Sequence, residues 1–88
     1  MYVFCKARAP THVLVIPRAH YANLTEAAAA DPALVGRLMR ACTEVAKREG
    51  VSEDGYRVVT NIGEDGGQTV KHLHFHLLGG QKFAEKLV

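Results

Sequence analysis

The sequence predicts an α+β fold, a small antiparallel sheet with one long and one short helix. Three observations carry that prediction. Strand-like stretches lie at the start of the chain, around Val13, around Val58 and near the C-terminus, with both helical stretches together between the second and third. The regular strand–helix alternation of a parallel sheet is absent. Lastly, Val70–Leu78 sets His72, His74 and His76 at every second position with Leu73, Phe75 and Leu77 between them, the period of a strand.

The elements follow in order. Met1 to Cys5 is short and β-prone through Tyr2, Val3 and Phe4, and Lys6 to Thr11 reads as a turn around Ala9-Pro10. His12 to Ile16 is a nearly continuous aliphatic run stopped by Pro17, which suits a strand buried on both faces. His20 follows the strand end; taken alone it reads as a structural hydrogen-bonder. Asn23 with Glu26 three residues on is a capping-box pattern that opens a short helix through Ala30. Asp31-Pro32 restarts the helix, with Asp31 as N-cap and Pro32 at the first helical position, where its missing N–H costs nothing. Leu34, Val35, Leu38, Met39, Cys42, Val45 and Ala46 then form an apolar stripe expected to pack on the sheet, and Gly50 is the expected stop. Tyr56 to Asn61 alternates as a strand, Gly63 to Thr69 is a loop, and Gly79-Gly80 closes the histidine strand before a short tail from Gln81 to Val88.

Length and charge narrow the function. Eighty-eight residues make a single domain, 1–88, with a modest core. A formal charge of +2, scattered along the chain, argues against nucleic-acid and membrane partners. No apolar run approaches the roughly 20 residues that span a bilayer, and the N-terminus lacks the pattern of a signal peptide, so a cytoplasmic location is expected. Two cysteines make no disulfide framework, and Cys42 falls on the helix stripe as a small core residue.

On a strand the three alternate imidazoles share one face, neighbours roughly 6.6 Å apart, so one small anion can touch two of them. That face can do two jobs. Alternate histidines can hold one Zn²⁺ through neutral nitrogens, and three protein ligands plus a water would make such a site catalytic. Alternatively, a neutral imidazole attacks phosphorus while a protonated neighbour stabilises anionic oxygen or protonates the leaving group. The second job needs a phosphate holder. Gly63 and Gly66-Gly67 let backbone N–H groups converge on an anion, and Gln68 and Thr69 add side-chain donors. Joined directly to the histidine stretch, this loop favours phosphate over zinc.

These residues resemble the histidine-triad (HIT) nucleotide-binding family. Val70–Gly80 carries the His-x-His-x-His core with apolar x. The likeness extends through Ala9-Pro10-Thr11-His12 to His20, Gly55-Tyr56-Arg57, Asn61-Ile62-Gly63 and Gly66-Gly67-Gln68-Thr69-Val70. It is nearest to the Hint-like branch that hydrolyses nucleoside phosphoramidates. The resemblance implies a HIT-like α+β fold, usually in a homodimer, and a purine nucleoside monophosphate or its phosphoramidate as ligand. It implies His74 as the nucleophile, His76 as the contact to phosphate and leaving group, His72 as the support of His74, and His20 as the histidine that completes the network. Asn61, Gly67, Gln68, Thr69 and Val70 match positions beside the phosphate. No cofactor is required on this reading, and zinc is the less favoured alternative.

The chain also departs from the family pattern. The N-terminal part of the usual family domain, which supplies most of the base pocket, is missing before Ala9-Pro10. Met1 to Arg8 contains no Asp or Glu to match the acidic residue that binds the ribose hydroxyls. Gln81 to Val88 lacks the tryptophan-proline ending of the phosphoramidase branch. The expectation is an intact phosphate-handling half with weak nucleoside affinity, which also leaves open a binding or protein-interaction module with little turnover.

Overall fold

The computed structural model describes residues 11–83 and the backbone of residues 2–6. The expected turn at Ala9-Pro10 and the last five residues of the tail lie outside the described residues. The elements run β1 (Tyr2–Lys6), β2 (Thr11–Pro17), α1 (Leu24–Ala30), α2 (Pro32–Arg48), β3 (Arg57–Val59) and β4 (Phe75–Gly79). They form one four-stranded sheet in the order β1-β2-β4-β3. Every pairing is antiparallel.

Local chemistry sets the helix ends. The Asn23 side chain accepts a hydrogen bond from the Glu26 N–H, and Asp31 accepts one from the Leu34 N–H. Each satisfies a donor that the first helical turn leaves unpaired. At the far end of α2, Gly50 takes a φ of 74°, a left-handed conformation that L side chains adopt at a cost. The Gly50 N–H then reaches the Lys47 carbonyl and the Val51 N–H the Ala46 carbonyl, the paired bonds of a Schellman stop. Val51 is itself buried and anchors the turn.

The long helix covers one face of the sheet. Leu34, Leu38, Ala41, Cys42, Val45 and Ala46 are buried on it. Met39, expected on the stripe, is 36% exposed, and Ala41 takes a core position instead. At about 100° per residue, Met39 lies a quarter turn from Leu38, whereas Ala41 falls back beside Leu38 and Val45. Against this face pack Val13 and Val15 from β2, with Leu73, Phe75 and Leu77 from the histidine stretch. Cys42 is a core residue, as expected, and burial pushes its thiol up to about 11, so it stays protonated and unreactive.

Three strand expectations need correction. The β2 run is not buried on both faces: Val13, Val15 and Pro17 are buried while His12, Leu14 and Ile16 are half-buried. Its second face carries no helix. The third strand is Arg57–Val59 rather than Tyr56 to Asn61. The histidine strand begins at Phe75, not Val70, and includes Gly79. The pairing register explains the late start: Val15 is opposite Phe75 and Val59 opposite His76, and neither ladder extends to earlier residues. Even so, the in–out alternation continues back to His72, with Leu73 buried between two half-buried histidines.

Candidate active site

The uncovered face of β2 and the histidine stretch is the candidate site. His72, His74 and His76 all lie on it, as strand-like alternation requires. A cavity of about 190 Å³ opens there, lined by Leu14, Ile16, Val70, His72 and His74. Larger hollows of about 430 and 510 Å³ lie near the turn after α2, around Gly50 and Asp54, and contain no histidine.

Hydrogen bonds fix the protonation pattern of the imidazoles. His74 Nδ1 is 2.7 Å from the His72 carbonyl oxygen. A carbonyl can only accept, so Nδ1 carries the proton and a neutral His74 keeps its lone pair on Nε2. His72 Nε2 lies 3.0 Å from the Pro17 carbonyl and must likewise carry a proton. In the neutral ring its Nδ1 is then the acceptor for His20 Nδ1–H at 3.0 Å. Thr60 Oγ1 donates to the His74 carbonyl at 2.8 Å, which holds the backbone of the central histidine from the β3 side.

His76 meets His12, a residue of the aliphatic β2 run. His12 Nε2 is 2.9 Å from His76 Nδ1, and the ring centroids are 5.1 Å apart. The other side of His76 meets the His74 ring edge-on at 5.0 Å. Burial lowers the His76 pKa below its ordinary 6.5, and the charges of His74 and His12 lower it further. His12 was legible only through register: it pairs with Leu78, which places it diagonally across from His76 on the same face. All five histidines of the chain therefore gather on this face, with His20 behind His72 and His12 behind His76.

The phosphate-loop expectations divide. Gly66 is held by close approach, since a Cβ there would collide with the Ile62 carbonyl oxygen. The Gly67 N–H donates to the Glu64 carbonyl at 3.0 Å, so it closes the loop instead of standing open. Gln68 is also engaged: Nε2 donates to the carbonyls of Ala22 and Val70, and Oε1 accepts from the Gly63 N–H. Asn61 uses one amide hydrogen on the Gly66 carbonyl at 2.7 Å and has a second to offer. Thr69 and Val70 are exposed, and their N–H groups have no partner among the described residues. Among those residues no group of three His, Cys, Asp or Glu side chains is arranged to hold a metal ion. No helix there is long and apolar enough to cross a membrane.

A helix-backed antiparallel sheet with a row of linked imidazoles on its open face defines a histidine-triad protein. The chain belongs to the HIT family, and residues 2–83 match the HIT domain. It is 53% identical over 77 residues to an uncharacterized HIT-like protein of Synechococcus elongatus, covering 88% of this chain and 67% of that one. Identity is 39% over 80 residues to the purine nucleoside phosphoramidase of Escherichia coli K12, covering 91% of this chain and 67% of the enzyme. A HIT family hydrolase from Clostridium thermocellum superimposes with a TM-score of 0.85 at 43% identity, covering 93% of this chain and 71% of that structure.

Proposed function

We propose that the chain hydrolyses purine nucleoside phosphoramidates by nucleotidyl transfer to His74. The observation that carries this reading is the His74 Nδ1 bond to the His72 carbonyl, which leaves Nε2 as a free lone pair beside a second, separately supported imidazole. Nε2 attacks the α-phosphorus, forming a P–N bond to His74 as the P–N bond to the substrate amine breaks. His76 gives its Nε2 proton to the departing amine, and His12 can pass its own Nε2 proton to His76 Nδ1. Water then attacks phosphorus, releasing the nucleoside monophosphate and freeing His74. The N–H groups of Thr69 and Val70 and the free amide hydrogen of Asn61 are the donors assigned to the phosphate oxygens.

The histidine-lined cavity of about 190 Å³ is smaller than the roughly 300–1,000 Å³ of typical small-molecule pockets. The reading therefore includes a weak grip on the nucleoside and loose discrimination of the base. A homodimer in solution is part of the same proposal, tested by sedimentation.

Steady-state release of AMP from adenosine 5′-phosphoramidate tests the activity. The wild-type chain turns over and His74→Ala does not. Equal rates in the two would remove the catalytic assignment, and inactivity in both, with retained AMP binding, would make the chain a nucleotide-binding module.

A further inference from the structure

The run from Gln68 to His74 carries the nucleophile and the open N–H groups, yet it has no strand ladder on either side. Its hold comes from elsewhere. Three contacts tie it to His20, Tyr21 and Ala22, the segment between β2 and the first helix. The Gln68 side chain donates to the Ala22 carbonyl at 2.6 Å, the Leu73 N–H donates to the Tyr21 carbonyl at 2.7 Å, and His20 meets His72 at 3.0 Å. Ala22 directly precedes the Asn23 cap, so this segment is itself anchored to α1.

Gln68 is the piece of this clasp that also reaches the phosphate loop. A glutamine amide has two donor hydrogens and one acceptor oxygen. Here one hydrogen goes to Ala22, the other to the Val70 carbonyl at 3.0 Å, and the oxygen accepts from the Gly63 N–H at 2.9 Å. A phosphate can only accept from a neutral amide, and no donor is left for it. We propose that Gln68 is a positioning residue, not a phosphate ligand, clasping the 63–70 loop to Ala22 so that the Val70 N–H and His74 face one phosphorus together. The proposal rests on the phosphate-handling reading above and specifies how that site is held.

Gln68→Met keeps the length of the side chain and removes all three bonds. The expected result is faster amide hydrogen exchange at Gly63 and Leu73, with kcat falling roughly ten- to hundredfold and KM changing much less, as a small misplacement of reacting groups produces. Its effect on kcat should be less than additive with His20→Phe, because both loosen the same segment. Gln68→Glu sharpens the test. It keeps the acceptor for Gly63 but loses both donors, so Leu73 exchange should quicken while Gly63 stays protected. Unchanged exchange in both variants with weakened AMP binding would make Gln68 a phosphate ligand and overturn the proposal. Faster exchange with unaltered kcat would reduce the clasp to a structural tie and overturn it as well. The exchange arm needs no substrate: a wild-type chain inactive on phosphoramidates would sink the hydrolase reading, leaving the clasp to be judged by exchange and AMP binding.

Discussion

The two faces of the sheet are made from the same strands and do opposite work. On the helix side, Val13, Val15, Leu73, Phe75 and Leu77 are each at most 3% exposed. On the open side, the alternate residues His12, Leu14, Ile16, His72, His74 and His76 are half-buried, and each of the four imidazoles bonds through at least one ring nitrogen to another imidazole or to a nearby carbonyl. The difference shows how a small domain separates stability from chemistry. Burial of every second side chain holds the strands in register, and that register delivers the intervening imidazoles to fixed places. A closed site would hold the nucleophile dry but shut out its substrate. The open face needs each imidazole set by hydrogen bonds instead of by packing.

Substitutions should separate the faces. The largest effect is expected at His74, where replacement by Ala should lower phosphoramidate turnover by roughly four orders of magnitude or more. Thermal denaturation should show a nearly unchanged fold. Leu77→Ala, three residues along and on the opposite face, should do the reverse. Loss of a fully buried leucine costs about 2–5 kcal/mol, read from urea unfolding, while turnover per folded molecule stays close to wild type. If Leu77→Ala instead abolished turnover in a folded protein, the separation of the faces would fail.

His12→Phe should act on the pair with His76. Turnover should fall by up to about a hundredfold, the lower range of general acid–base contributions. The titration of His76 itself should also move up, because one charge that depresses it is gone while its burial remains. The sign for stability follows from the same shift. A folded-state pKa below the unfolded value means His76 contributes stability fully above the ordinary 6.5, and that contribution is lost as pH falls below it. Histidine NMR titration reads both effects. The smallest change is expected at Asp31→Ala, which removes a cap on α2 at a cost of about 1 kcal/mol and leaves turnover alone.

Much of this was legible in sequence, and what was hidden has a physical cause. The element order, both N-caps, the Gly50 stop and the grouping of His72, His74 and His76 follow from local chemistry and short-range periodicity. Pairing does not. His12 reads as one more residue of an apolar run until β2 is laid beside β4, and only then does it stand behind His76. Met39 and Ala41 changed places because the stripe's centre is set by where the sheet touches the helix. The engagement of Gln68 was hidden because its sequence neighbours are loop residues, whereas its partner Ala22 lies 46 positions away. The family resemblance placed the histidine core without showing which groups were already engaged.

The central claim is that His74 Nε2 is the attacking atom. The most direct test is a single-turnover reaction with adenosine phosphoramidate labelled at phosphorus, quenched in base and mapped by peptide. Label should appear on His74 and then decay as AMP forms, with none on His72, His76 or His12. AMP formed without label passing through His74, or label resting on another histidine, would contradict the account.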